Sequence, residues 1–544
     1  MEAGLTREPD REVSVYDTTL RDGTQQVGIS LSLQDKLDLL QRASAFGVDY
    51  VEGGSPGSNP KDMEFFRAAR RLPLEVRLVA FGPTRRAGVR VGEDPGVRAL
   101  LDAGTPAVDI VGKTWELHVR EALGTTRQEN LAMIAETVAA LKAHGREVLF
   151  DAEHFFDGCA DDPEYALASV RAAAEAGADW IILCDTNGGS LPEHVGRWTA
   201  RALAAVGRRV GIHTHDDAGL AVANALAALA EGARQVQGTW NGYGERCGNV
   251  NLCTLLPDMV LKAGYRCRAA VALPELTALS RAVSEVCNLP LAPGAPYVGP
   301  NAFAHKGGIH VSAVTRNSRT YEHVPPESVG NAREVVVSEL AGRSNLAYKV
   351  LEMGVGGLSE VDRQRLLERV KQLEFEGYQF EGAEASFELL ARRMLASYRP
   401  FFRPLRYSVS VWRGTGPEPE VEATVRVAVE GGVFHTAADG DGPVNALDSA
   451  LRKALHGPYP QLADMRLCDY KVRVIDGREG TASRVRVLIS TDGPDGRWTT
   501  VGVSHNILDA SWLALVDSVE YGLWRHRARQ AGGMPPAAMA SGGA

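Results

Sequence analysis

Along the first 270 residues, short runs of β-branched and aromatic residues alternate with longer stretches whose apolar positions recur every three or four residues. The short runs read as strands and the longer stretches as amphipathic helices. Eight strands are expected, at 13–17, 49–53, 76–81, 107–112, 147–153, 179–185, 210–215 and 234–240. Their near-continuous apolar character is what a parallel strand buried on both faces requires. Eight β/α units in about 260 residues match the size and rhythm of a (β/α)8 TIM barrel, whereas doubly wound sheets usually stop at fewer strands.

The strand rhythm stops near residue 273, and helical patterning dominates to residue 404, interrupted by the Pro- and Gly-rich stretch 290–300. From residue 405 the pattern changes again. Val421, Ala423, Val425, Val427 and Val429 alternate with polar residues, as do Val485, Val487 and Ile489, which predicts sheets with one buried face. Helical segments at 443–455 and 507–524 would cover them. The expected fold is therefore α/β: a flexible leader (1–11), a TIM barrel (12–272), helical linker subdomains (273–404), a C-terminal α+β domain (405–527) and a disordered tail (528–544). A length of 544 residues agrees, because it exceeds what one hydrophobic core organises.

Charge and composition narrow the function classes. A net charge of -9 leaves no basic face for nucleic acid. No apolar run reaches membrane length, and residues 1–11 carry mixed charge with no hydrophobic stretch, which argues against a secretory signal. The chain reads as soluble and cytoplasmic. Its seven cysteines, at 159, 184, 247, 253, 267, 287 and 468, are scattered and never spaced Cys-x-x-Cys, so buried free thiols are expected. Cys247 lacks a His or Asp sequence neighbour to activate it and reads as a small packed residue.

The chemistry-bearing residues gather at strand ends, where barrel enzymes carry their active sites. Asp17-Thr-Thr-Leu-Arg21-Asp22-Gly follows the first strand, Glu153-His154 closes the fifth and Asp185-Thr186-Asn-Gly the sixth. His213-Thr-His215-Asp-Asp217 closes the seventh, and Asn241-Gly-Tyr-Gly-Glu245-Arg246-Cys-Gly-Asn249 follows the eighth. Residues i and i+2 of a strand share a side, so His213 and His215 can offer two imidazoles to one ion, with Asp22 adding an oxygen. Two histidines hydrogen-bonded within a strand are the plain alternative. Gly242-x-Gly244 resembles the start of a dinucleotide fingerprint, but the third glycine falls at Gly248, one place late, and a nicotinamide site is rejected. For a general base the residues leave Glu153, His154 and Asp151 open, Asp151 and Glu153 lying on one strand face.

Together, Asp-Thr-Thr-Leu-Arg-Asp-Gly, His-Thr-His-Asp-Asp and Asn-Gly-x-Gly-Glu-Arg-x-Gly-Asn resemble the isopropylmalate synthase family of acyl-CoA condensing enzymes, a group of metal-dependent DRE-TIM barrels. Residues 51–62, 112–118 and 150–158 are most similar to the branch of that family that forms citramalate, and the match runs from about residue 12 to about residue 527. One departure is Ser55, where many members of that branch carry tryptophan.

The resemblance implies that Asp22, His213, His215 and Asn249 bind a divalent cation, Mn, Mg, Co or Zn. It implies condensation of acetyl-CoA with a 2-oxo acid, pyruvate in this branch, to give citramalate and CoA. Arg21 would bind substrate and steady the oxygen that gains charge, or else only brace its loop. Glu153 would be the catalytic base, and Thr186 would bind the oxo acid's carboxylate, with a helix N-cap as its other reading. His310, in Ala304-His-Lys-Gly-Gly-Ile-His310, and Tyr321 would complete the site of a partner subunit in a homodimer. The C-terminal domain would be an allosteric dimer domain that binds isoleucine, or leucine in the isopropylmalate branch. Rival readings are an isopropylmalate or homocitrate synthase with a bulkier oxo acid, a lyase or aldolase on the same barrel, and a non-catalytic amino-acid sensor.

Overall fold

Eight parallel strands close into a barrel in sequence order: β1 (Ser14–Asp17), β2 (Tyr50–Gly54), β3 (Arg77–Pro83), β4 (Ala107–Lys113), β5 (Glu147–Glu153), β6 (Trp180–Asp185), β7 (Arg209–Thr214) and β8 (Gln235–Gly238). β8 pairs with β1 to complete the ring, Val15 opposite Val236. These are the expected strands to within two residues at each end. The computed structural model describes residues 11–207, 209–336, 343–414, 419–475 and 482–531, so 1–10 of the expected leader and 532–544 of the expected tail lie outside the described residues.

Period-two alternation sorts each strand's side chains between two cores. Outward residues such as Val15, Val51, Ile110, Phe150, Ile181 and Val236 are fully buried beneath the helices. The inward residues Tyr50, Val79, Leu149, Trp180 and Ile182 form a second apolar cluster inside the barrel. Nearer the C-terminal ends of the strands the interior turns polar. Gln237 on β8 donates to Asp109 on β4 (3.1 Å) and Asp151 on β5 (3.3 Å), contacts that cross the barrel because these strands are not neighbours. The helices are set by local signals. The helix Leu33–Phe46, for instance, starts at a Ser32/Asp35 capping box and stops at Gly47, whose φ of 94° suits glycine.

The chain falls into two compact units, 1–303 with 324–332, and 304–323 with 333–544. The second holds the helices Arg343–Glu352, Glu360–Phe375 and Glu384–Arg393, then a three-strands-then-helix arrangement twice over. Phe402–Trp412, Glu420–Val429 and Gly432–Asp439 form an antiparallel sheet with helix Pro443–Leu455. Arg466–Val474, Val485–Gly493 and Gly496–Ser504 form another with helix Ile507–Gln530. The alternation at 421–429 plays out as expected: Val421, Ala423, Val425, Val427 and Val429 are the buried members of their strand. Among the described residues no helix is long and apolar enough to cross a membrane.

All seven cysteines are free, but not all are buried. Cys247 is exposed in the loop after β8. Cys468 is exposed at a register shift between Leu467 and Asp469, where it stands outside the ladder.

Candidate metal centre and active site

The loop after β1 is folded onto the loop after β8 by one buried carboxylate. Asp17 accepts from the Thr19 backbone N–H (2.8 Å) and from Trp240 Nε1 (2.7 Å), while the Trp240 N–H donates to Thr19 Oγ1 (3.0 Å). Burial pushes the Asp17 carboxyl up to about 6. This anchorage carries Asp22 to the end of β7. There Asp22 Oδ2 lies 3.2 Å from His213 Nε2 and 3.9 Å from His215 Nε2, and the two imidazole nitrogens are 3.3 Å apart. The ligand atoms of the three residues all lie within 4.8 Å of one another, and all three side chains are buried.

Asn249 completes the cluster. Its backbone bridges to His215, and its Nδ2 lies 2.9 Å from Asp22 Oδ2 and 3.1 Å from His213 Nε2. Its Oδ1 and the Nδ1 of His215 are buried without a partner. Turning the carboxamide over would bring that oxygen among the three ligand groups, and O/N placement in an amide is an assignment. Two imidazole nitrogens with a carboxylate and an amide oxygen fit a divalent cation of borderline softness.

The electrostatics suit a ligand set. Burial opposes ionisation of Asp22, but the Arg21 guanidinium and His213 outweigh it and hold the carboxylate well below its usual range. His215 is pushed down to about 4, by burial first and by His213 second, which leaves its ring neutral at pH 7. Arg21 is itself pinned: Nε donates to Glu52 Oε2 (2.7 Å), Nη1 lies 3.5 Å from Asp22, and the guanidinium sits 3.9 Å from the Phe81 ring centroid. The loop-bracing reading of Arg21 is thus present in the geometry together with its place beside the ligands.

The three base candidates occupy different environments. Asp151 is buried in the barrel interior. His154, at φ 57°, packs against the His118 ring and lies 3.0 Å from Asp157. Glu153 stands at the barrel rim, paired with Lys113, which is its register partner on β4. The Thr186 hydroxyl accepts from the His154 N–H (2.9 Å), and the helix after β6, Pro192–Val206, has Leu191 as its N-cap, so Thr186 is not a cap. Arg246, at φ 58°, ties three loops together by pairing with Asp217 (2.8 Å) and donating to the Thr186 carbonyl (2.7 Å). In the other unit, the rings of His310 and Tyr321 stack at 4.1 Å, and both residues are exposed.

Sequence reasoning passed over Glu52, Asp109, Lys113 and Gln237. Glu52 and Asp109 carried a signal, since each is a charged residue inside an apolar strand. Lys113 could be placed only once the pairing of β4 with β5 was known.

Comparison with known proteins fits this architecture. The HMGL-like family matches residues 12–283, the homocitrate synthase post-HMGL domain-like family 297–377, and the LeuA allosteric (dimerisation) domain 381–523. The chain is a member of the HMGL-like group of metal-dependent TIM-barrel enzymes. It is similar to an (R)-citramalate synthase of Aquifex aeolicus (50% identity over 523 residues, 94% of this chain and 98% of the relative). A counterpart from Synechocystis is also 50% identical, over 527 residues, 94% of this chain and 96% of the relative. A probable 2-isopropylmalate synthase of Methanopyrus kandleri is more distant, at 34% identity over 94% of this chain and 98% of the relative. Within the group, the chain belongs to the (R)-citramalate synthase family.

Proposed function

We propose that this chain condenses acetyl-CoA with pyruvate and water, giving citramalate and CoA in isoleucine biosynthesis in the cytoplasm. The observation that carries the reading is full-length similarity at 50% identity to (R)-citramalate synthases, joined to the buried Asp22, His213 and His215 cluster.

Asp22, His213, His215 and Asn249 would hold a divalent cation, Mn, Mg, Co or Zn. When bound, such a cation polarises the keto group of a 2-oxo acid and supports the negative charge that builds on its oxygen. Arg21, held rigid by Glu52 and Phe81, presents a fixed cation toward the same oxygen. The Thr186 oxygen already accepts from His154, so its own proton is free to bind the oxo acid's carboxylate. Glu153 takes a proton from the methyl of acetyl-CoA, and Lys113 holds that carboxylate in place at the rim. His310 and Tyr321 complete the site of a partner subunit in a homodimer. The barrel spans 12–272, the helical linker 273–404 and the regulatory domain 405–527.

Isoleucine, or leucine, is the expected inhibitor. A cavity of about 770 Å³ in the C-terminal domain supports this, because its wall sets Lys453 and the Asp448–Arg452 ion pair (2.8 Å) beside apolar Val444, Leu462 and Leu467.

The test follows CoA release with a thiol reagent, giving the protein acetyl-CoA with pyruvate, 2-oxobutyrate, 2-oxoisovalerate or 2-oxoglutarate. EDTA, metal re-addition and isoleucine form separate arms. A rate greatest with pyruvate, abolished by EDTA and restored by one of the four metals is expected. A preference for 2-oxoisovalerate or 2-oxoglutarate would reassign the chain to the bulkier-acid synthases, and no release with any acid would overturn the reading.

A further inference from the structure

Beneath the metal cluster, seven buried or nearly buried side chains form a closed circuit of polar contacts. His213 Nδ1 meets Gln237 Oε1 (2.9 Å), and Gln237 Nε2 donates to Asp109 Oδ2 (3.1 Å). Tyr16 OH reaches Asp109 Oδ2 (3.1 Å) and Glu52 Oε1 (3.2 Å). Glu52 takes Arg21 Nε (2.7 Å), Arg21 Nη1 lies 3.5 Å from Asp22, and Asp22 Oδ2 returns to His213 Nε2 (3.2 Å). Gln237 is 1% exposed and lies on the barrel floor below the ligand atoms, so its partners are fixed by the protein and not by solvent.

An imidazole can serve a cation through Nε2 only if its proton sits on Nδ1, and a hydrogen-bond acceptor at Nδ1 is what puts it there. The carboxamide of Gln237 can face His213 with either its oxygen or its nitrogen. Asp109 and Asp151 decide between the two, because their oxygens accept from Nε2 and a turned amide would set Oε1 against them. We propose that Gln237 is a positioning residue for the metal centre. Oriented by Asp109 and Asp151, it accepts the Nδ1 proton of His213 and so leaves the Nε2 lone pair for the cation. Burial, reinforced by neighbouring carboxylates, raises the pKa of both aspartates, which eases their place side by side in the barrel interior.

This inference rests on the metal reading of Asp22, His213 and His215, and the experiment separates the two. Full-length protein is stripped with EDTA, and its affinity for Mn(II) is measured by calorimetry for the wild type, Gln237→Met and Gln237→Glu. Methionine keeps the length and loses the acceptor. Glutamate keeps an acceptor for His213 and, when protonated, a donor for the aspartates. Mn(II) binding is expected to weaken about 10- to 100-fold in Gln237→Met and to recover most of that loss in Gln237→Glu, both variants retaining the wild-type circular dichroism. Gln237→Ala removes the same acceptor with less bulk and replaces the methionine variant should that variant not fold. Wild-type affinity in the acceptor-free variant, or equal losses in the methionine and glutamate variants, overturns the role of Gln237. No Mn(II) binding by the wild type overturns the metal reading, and this inference with it.

Discussion

Asp17 neither borders the ligand atoms nor points to solvent, and its work is to fold the loop that carries Arg21 and Asp22. Its carboxyl titrates near 6 when folded and near its ordinary 3.8 when unfolded. Above pH 6 both states are ionised, so the contribution to stability is flat. Between 6 and 3.8 the folded state alone takes up a proton, and stability rises as pH falls. Relative to Asp17→Asn, the wild type is therefore expected to gain up to about 3 kcal/mol on going from pH 7 to pH 4. Urea unfolding of both proteins at the two pH values measures it, and a pH-independent difference would sink the argument. Gly248 shows why the third glycine of the β8 loop lies where it does. Its φ is 94°, and a Cβ there would come within 2.0 Å of the Gly242 carbonyl oxygen. The glycines serve close packing of a loop that presents Asn249.

Elements were the most legible scale, because strand and helix periods are written directly into apolar spacing. All eight barrel strands, the alternating strand at 420–429 and the helix from Pro443 to Leu455 could be read from pattern alone. Interactions between elements could not. In the second unit, Glu388 on helix Glu384–Arg393 takes Arg392 Nε (2.8 Å) and the Tyr521 hydroxyl (2.7 Å) from helix Ile507–Gln530, and Arg392 lies 3.6 Å from the Trp524 ring centroid. The Glu388 and Arg392 side chains are only 7% and 12% exposed. Removing one partner strands the other's charge, so Glu388→Ala is expected to destabilise this unit by about 3–5 kcal/mol, while a Glu388→Leu, Arg392→Met pair recovers most of the loss. Thermal melts of the three variants test this, and an unaltered melt for Glu388→Ala would count against it.

At the scale of the whole molecule, the expectation is that one subunit's His310 and Tyr321 serve its partner's barrel. Neither side chain is buried in its own chain, and their stacked rings form a preformed aromatic pair. A His310→Ala subunit mixed with a Glu153→Ala subunit should regain activity that neither homodimer has, since one mixed site is intact. Tagged heterodimers purified from co-expression give the measurement. Full-length heterodimers with no recovered activity would place His310 in its own chain's site, and a His310→Ala homodimer with full activity would place it outside catalysis.

By itself the sequence determined the number and order of the barrel strands, the apolar faces and the clustering of Asp22, His213 and Glu153 at strand ends, because these depend on local periodicity and on the rule that strand ends carry barrel chemistry. Tertiary structure decided which polar residues meet. Gln237 and Asp109 lie 128 positions apart, and Asp22 and Asn249 lie 227 apart. The first pair forms only when the barrel brings opposite strands within hydrogen-bond reach, and the second only when closure sets β1 beside β8. No period along the chain encodes a contact across a ring, and the places of Lys113 beside Glu153 and of Gln237 beside His213 came into view only with the ring itself.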